Sequence, residues 1–149
     1  MKMTNTESFI QHINEGYSSK GDFILLGAAL LDGEPIGGTQ IKIPLKTLNR
    51  HGLIAGATGT GKTKTIQVLS EQLSSFGIPV LMMDIKGDFS GIAKEGVEKT
   101  FITERHSKIN IPYSTAAFPV ELMTLSAQDG VRLRATISEF GPVLFSRIL

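Results

Sequence analysis

The residues best suited to chemistry lie in one glycine-rich stretch. Residues 56–63 read Gly-Ala-Thr-Gly-Thr-Gly-Lys-Thr and match G-x-x-x-x-G-K-[ST], the Walker A pattern of phosphate-binding loops. Glycines in such a loop allow backbone conformations that turn successive N–H groups toward a phosphate. The four fixed positions match by chance in roughly one of two hundred chains of this length. The stretch therefore predicts a site for nucleotide phosphates.

The loop positions have distinct expected roles. Lys62 carries a compact charge that can reach the β- and γ-phosphates, and the Thr63 hydroxyl can ligate Mg²⁺. A helix beginning near Lys62 would add the positive end of its dipole. We expect the nucleotide to contact the whole loop and the residue after it: Gly56, Ala57, Thr58, Gly59, Thr60, Gly61, Lys62, Thr63 and Lys64.

Asp84 is a second candidate, because it directly follows the apolar run 79–83. A carboxylate at the end of a parallel strand lies at the edge where ligands bind in open α/β sheets. Asp84 is therefore a candidate catalytic residue together with Lys62, and a candidate Mg²⁺ ligand together with Thr63. The alternative is an aspartate that only caps the loop after it. Lys86 and Asp88 are weaker candidates.

The elements around these residues follow the order strand, loop, helix, strand. Gly52–Ala55 is a short apolar run, and Lys62–Phe76 carries apolar residues on one helical face. Gly77 suits a helix C-terminus. The run Pro79–Asp84 is unbroken and apolar up to its final carboxylate, as in strands buried on both faces of a parallel sheet. The pattern predicts an α/β fold with a partial parallel sheet and flanking helices.

The residues before this core form a separate segment. Apolar residues from Phe9 to Tyr17 have helical spacing, and Gly16 lies near their end. Residues 23–31, the turn signal Asp32-Gly33 and an alternating run around Ile41 indicate a β-hairpin. We expect residues 1–48 to form a helix and hairpin that brace the main domain, and residues 49–149 to form an incomplete P-loop core.

The C-terminal third is less regular. Thr100–Ile102 and Val120–Met123 are candidate strands, and Ser126–Leu144 has a helical apolar stripe interrupted by Gly141-Pro142. The apolar run Val143–Leu149 ends without a cap or polar tail. It favours a sequence that stops inside a longer protein.

Composition narrows the class of protein. Fifteen Lys and Arg against 14 Asp and Glu give a net charge of +1, which excludes histone-like and acidic-tail proteins. The absence of cysteine excludes a disulfide scaffold, a cysteine nucleophile and a cysteine-ligated zinc site. The histidines at 12, 51 and 106 fit no metal spacing. Neither a signal peptide nor an apolar run of about 20 residues is present, so a cytoplasmic protein is expected.

Segments on both sides of the loop resemble a known family. Residues 49–55, Asn-Arg-His-Gly-Leu-Ile-Ala, lead into the loop as in the HerA/FtsK superfamily of P-loop motor ATPases. Residues 83–93, Met-Asp-Ile-Lys-Gly-Asp-Phe-Ser-Gly-Ile-Ala, are similar to the YjgR-like branch of HerA-type, helicase-like proteins, as are residues 136–144. The resemblance implies binding and hydrolysis of ATP with Mg²⁺ on a RecA-like sheet, often in a homo-hexameric ring around DNA.

The roles carried over by the resemblance stop at Asp84. The Walker A roles fall on Gly56, Gly59, Gly61, Lys62 and Thr63, and the acidic position after the strand falls on Asp84. The family's Walker B strand, which ends in Asp-Glu, lies further along the chain, and no apolar run followed by Asp-Glu occurs here. The resemblance thus implies the N-terminal part of a longer ATPase. A small P-loop kinase and a non-catalytic nucleotide-binding switch are the alternatives.

Overall fold

A computed structural model describes residues 4–125 and 127–134 of the chain. Contacts divide them into two units, one ending at Phe118 and the other beginning at Pro119. The architecture is mixed α/β, which confirms the broad fold class. The predicted boundary between residues 48 and 49 stays a prediction. The described helices and strands are α1 (Asn5–Gly16), β1 (Phe23–Leu31), β2 (Glu34–Pro44), α2 (Lys62–Ser75), α3 (Thr100–Ile109), β3 (Met123–Thr124) and β4 (Val131–Arg132).

Helix α1 forms where the spacing of apolar residues predicts a helix. Thr4 caps it reciprocally: its hydroxyl accepts a hydrogen bond from the Glu7 N–H at 3.2 Å, and the Glu7 carboxylate accepts one from the Thr4 N–H at 2.8 Å. These hydrogen bonds to Thr4 lower the pKa of Glu7. The helix ends at Gly16, as the sequence indicates.

The predicted hairpin is confirmed. Strands β1 and β2 pair antiparallel around Asp32 and Gly33, which both have positive φ, as a tight hairpin turn requires. The register shifts between Ala28 and Leu30. There the fully buried Thr39 hydroxyl accepts from the Ala29 N–H at 2.9 Å and donates to the Ile36 carbonyl at 2.6 Å, which satisfies the polar groups of the irregularity.

Helix α2 also matches its prediction, and its ends explain why. Gly61, just before it, lies in the left-handed region with φ of 96°. At the other end Gly77 has φ of 72°, its N–H bonds the Ser74 carbonyl, and the Ile78 N–H bonds the Leu73 carbonyl. This pair of bonds is the Schellman motif, which satisfies carbonyls that the helix end would otherwise leave free.

The predicted parallel sheet is not found among the described residues. Gly52–Ala55 and Pro79–Asp84 pair with no other strand there, and sheet β1–β2 is antiparallel. Leu53 and Met83 are each 90% exposed. A strand buried on both faces needs neighbours along its edges as well as layers above and below it, and the described part of the chain supplies no neighbouring strand.

Two predictions in the C-terminal third are wrong. Thr100–Ile102 is the first turn of α3 and not a strand, because strong helix formers follow and Asn110 closes the helix in the left-handed conformation. The helix predicted from Ser126 is absent at Val131–Arg132, which pairs parallel with Met123–Thr124.

The remaining predictions for this third concern residues 120–123, which are described, and residues of which some lie outside the described ranges. Of the candidate strand Val120–Met123, only Met123 lies in a strand. Ser126, the remainder of the predicted helical stripe and the apolar run Val143–Leu149 lie outside the described residues. No helix within residues 4–125 and 127–134 is long and apolar enough to cross a membrane.

Candidate phosphate-binding site

The loop before α2 has the backbone that its glycines predict. Gly59 and Gly61 have φ of 82° and 96°, where a side chain would be strained. At Gly56 the constraint is space, since a Cβ would lie 2.5 Å from the Thr60 hydroxyl oxygen. Glycine at these three positions is therefore a geometric requirement of the loop conformation.

A tight turn organises the middle of the loop. The Thr60 hydroxyl donates to the Ala57 carbonyl at 2.8 Å, and the Thr60 N–H approaches the same oxygen at 3.4 Å. The Lys62 ammonium also donates to the Ala57 carbonyl, at 2.7 Å. Its side chain therefore reaches back across the loop, and two of its three N–H donors remain for a ligand.

The start of α2 offers further donors. Gly61 supplies no side-chain cap. The N–H groups of Lys62, Thr63 and Lys64 have no intrahelical acceptors, because the first turn of any helix lacks them. The Thr63 hydroxyl bonds no group within the part of the chain that the structure describes. A phosphate chain fits three kinds of group here, which are the loop glycines, the Lys62 ammonium and the free N–H groups at the helix start. The Thr63 hydroxyl fits a nearby Mg²⁺.

The Asp84 carboxylate binds the loop that follows it. Its Oδ1 accepts hydrogen bonds from the N–H groups of Lys86 (3.2 Å), Gly87 (2.8 Å) and Asp88 (3.2 Å), and its Oδ2 accepts one from the Phe89 N–H at 2.9 Å. These bonds, led by that from Phe89, lower the pKa of Asp84. The geometry matches local capping, the structural alternative. Its predicted catalytic and metal-binding roles stay predictions.

Two glutamines on α2 make contacts that sequence reasoning missed. Gln67, 8% exposed, accepts from the Lys64 ammonium at 2.7 Å and donates to the Asp88 carbonyl at 3.0 Å. Gln72 accepts from the Leu25 N–H at 2.7 Å and donates to the Leu25 carbonyl at 2.9 Å. The sequence held one indication of these contacts. Both glutamines lie on α2 beside apolar residues, and that pattern predicts that their sides of the helix are at least partly buried.

No cluster of three His, Cys, Asp or Glu side chains suited to a metal occurs within the described ranges. His106 Nδ1 lies 3.1 Å from the Ile111 carbonyl, and its ring packs against Tyr113 at 4.8 Å.

A cavity of about 990 Å³ lies between the hairpin, α2 and α3, and no phosphate-loop residue lines it. Glu71 faces this cavity, and burial raises its pKa.

One protein family matches most of the chain, and individual known proteins match parts of it. The family described as "Helicase HerA-like C-terminal" matches residues 30–149. The DNA double-strand break repair helicase HerA of Sulfolobus acidocaldarius is 40% identical over 58 residues, 38% of this chain and 12% of that protein. HerA of Saccharolobus solfataricus is 38% identical over 50 residues, 34% of this chain and 10% of that protein.

A relative with a different role matches more of the chain. The DNA import protein CedB of Sulfolobus acidocaldarius is 30% identical over 107 residues, 70% of this chain and 18% of that protein. No solved structure matches. The chain thus spans less than a fifth of the length of these relatives. Because the family match covers most of the sequence and includes the whole phosphate loop, the chain belongs to the family of helicase HerA-like C-terminal domains.

Proposed function

We propose that this chain binds ATP together with Mg²⁺ at residues 56–64 and forms the N-terminal, nucleotide-binding part of a HerA-type motor ATPase. One observation supports this most strongly. The Lys62 ammonium lies on the loop at the Ala57 carbonyl, next to a helix start whose N–H groups have no intrahelical acceptors. Positive charge and free donors converge there, as an anionic phosphate chain requires.

Each residue of the site has a proposed task. Lys62 would hold the β- and γ-phosphates, Thr63 would hold Mg²⁺, and the free N–H groups at the helix start, those of Lys62, Thr63 and Lys64, would line the phosphates. Mg²⁺, when bound, would neutralise charge that develops on the phosphoryl oxygens. Asp84 would help to hold Mg²⁺ through Oδ2, because this oxygen accepts one hydrogen bond and keeps a second lone pair for the metal.

The proposed fold of the complete protein is a RecA-like parallel sheet. Gly52–Ala55 and Pro79–Asp84 would be two of its strands, joined to further strands from elsewhere in the full-length protein. The exposure of Leu53 and Met83, 90% each, supports this proposal, because apolar residues of a central strand are normally covered by neighbouring strands and helices.

The biological activity is also a proposal. The relatives are named for DNA repair and DNA import, so we propose that the full-length protein couples ATP hydrolysis to an action on DNA. By family resemblance it would work in the cytoplasm as a homo-hexamer of the YjgR-like branch.

A second candidate is a module that binds nucleotide without hydrolysing it. The observation that favours it is the Asp84 carboxylate, whose oxygens already accept four backbone hydrogen bonds. Phosphate release by the full-length protein distinguishes the two, since the loop supplies binding but turnover also needs a water-aligning residue and an arginine from the remainder of the ATPase. We expect little or no turnover by the 149-residue chain. Rapid turnover abolished by Lys62→Ala and by Asp84→Asn would refute the non-catalytic reading.

Titration calorimetry with ADP, in Mg²⁺ and in EDTA, tests the binding proposal. Lys62→Ala should weaken binding about tenfold or more, because it removes a charged hydrogen-bond donor from the phosphates. Lys94→Ala is the matched control, since Lys94 is an exposed lysine outside the loop. Equal affinity of the wild type and Lys62→Ala, or equal losses in both variants, would contradict the assignment.

A further inference from the structure

Gln67 is a buried amide whose hydrogen bonds link the start of α2 to the loop after Asp84. It lies in the second turn of α2, about 7.5 Å along the helix axis from Lys62. Lys64 is three residues earlier and shares its helical face. Because the Lys64 ammonium donates to Oε1 at 2.7 Å, the amide is oriented with Nε2 toward the loop after Asp84.

The acceptor of Gln67 belongs to the peptide unit that bonds Asp84. The Asp88 carbonyl accepts from Gln67 Nε2 at 3.0 Å, and the N–H on the other side of that peptide bond, Phe89 N–H, donates to Asp84 Oδ2 at 2.9 Å. A trans peptide directs its C=O and N–H in opposite directions. Gln67 therefore fixes the orientation of the Phe89 N–H, which donates its hydrogen bond to Asp84 Oδ2.

Together these contacts form a chain from a cation to an anion. It runs from the Lys64 ammonium through the Gln67 amide and the 88–89 peptide to the Asp84 carboxylate. Hydrogen bonds in such a series polarise and strengthen one another. No other side chain of α2 donates to residues 84–89 in the described part of the chain.

We propose that Gln67 is a positioning residue, which holds Asp84 Oδ2 at a fixed place relative to the phosphate loop for a nucleotide-bound Mg²⁺. This inference rests on the proposed function. Oδ2 is the relevant oxygen because it accepts one backbone N–H, whereas Oδ1 accepts three. Lys64, adjacent to Thr63, anchors the other end of the chain at the loop.

The test uses the near-isosteric Gln67→Glu, which keeps an acceptor for Lys64 and removes the donor to the Asp88 carbonyl. Calorimetry should show Mg·ADP binding weakened about tenfold, with ADP in EDTA changed by less than about twofold. Gln72→Glu is the matched control. It removes the donor to the Leu25 carbonyl from the same helix and should leave the Mg²⁺-dependent part of binding unchanged.

A double-mutant cycle separates positioning from a general loss of structure. If Gln67 acts through Asp84, adding Gln67→Glu to Asp84→Asn should produce no further loss of Mg·ADP affinity. Additive losses, equal losses with and without Mg²⁺, or an unchanged Mg·ADP affinity would each overturn the proposal. Failure of the wild type to bind ADP at all would instead refute the proposed function itself.

Hydrogen exchange on the wild type provides a test that needs no variant. Amides 86–89 should exchange more slowly with Mg·ADP than with ADP in EDTA, because the metal would hold the carboxylate that these amides bind. Identical exchange in the two conditions would overturn the proposal even if Gln67→Glu failed to fold.

Discussion

Gly61→Ala tests whether backbone conformation alone maintains the phosphate loop. Gly61 has φ of 96° and ψ of 14°, and a Cβ built there meets no atom within 4 Å. Steric collision with a neighbour is therefore excluded, and only the left-handed backbone opposes a side chain. The cost of that conformation for an L-residue is about 1–2 kcal/mol.

The expected result is a loss of about 1–2 kcal/mol in the free energy of unfolding, measured by urea titration. For a chain of this size the melting temperature would fall by roughly 2–8 °C. If residue 61 of the variant instead adopts a negative φ, the stability cost is avoided. The loop N–H groups then turn away from the position proposed for the nucleotide phosphates. ADP binding then weakens, so calorimetry must accompany the unfolding measurement.

Two variants provide controls for Gly61→Ala. Gly91→Ala also adds a Cβ into open space, but its φ is ordinary, so it should be neutral or slightly stabilising. Gly61→Asn should lose less stability than Gly61→Ala, because asparagine tolerates the left-handed region better. Wild-type stability and wild-type ADP affinity together in Gly61→Ala would refute the reasoning.

Three further predictions concern α2 and its neighbours. Thr63→Val should weaken ADP binding in Mg²⁺ but not in EDTA, and Thr63→Ser should restore it; calorimetry that shows equal losses in both buffers would contradict the metal role. Gln72→Leu should lower the free energy of unfolding by about 1–3 kcal/mol, since it leaves the Leu25 N–H and carbonyl unpaired; an unchanged urea midpoint would contradict this. Hydrogen bonding lowers the pKa of Asp84 below its ordinary value of 3.8, so the ionised carboxylate should protect amides 86–89 from exchange at every pH above the lowered pKa. The protection should fall as the pH drops through the lowered pKa, because the protonated carboxyl group loses these hydrogen bonds. Hydrogen exchange that shows constant protection down to pH about 2 would contradict this prediction.

Local features of the structure could be predicted from the sequence because short-range rules govern them. The glycine spacing of residues 56–61 requires a particular backbone, and Gly77 ends α2 by a motif that involves only the last turn. The hairpin follows from Asp32-Gly33 between two apolar runs. In each case the decisive residues lie within a few positions of one another.

Strands were less predictable, because a strand exists only with a partner. Gly52–Ala55 has strand composition but finds no neighbour in the described part of the chain. Thr100–Ile102 has β-forming residues, yet the helix-forming residues after it and Asn110 decide for α3. A preference in a three-residue window is weak, and its surroundings override it.

The sequence by itself determined the glycine-rich loop of residues 56–63, the helix that follows it and the candidate roles of Lys62 and Thr63. Only the tertiary structure decided where Asp84 directs its carboxylate and what the two glutamines bind. Gln67 meets Asp88 21 residues away, and Gln72 meets Leu25 47 residues away. No periodicity or motif encodes such pairs, because they depend on how helix and loop, or helix and strand, pack in space. Burial then makes the hydrogen bonds of Gln67 necessary, since an unpaired amide inside a protein is costly.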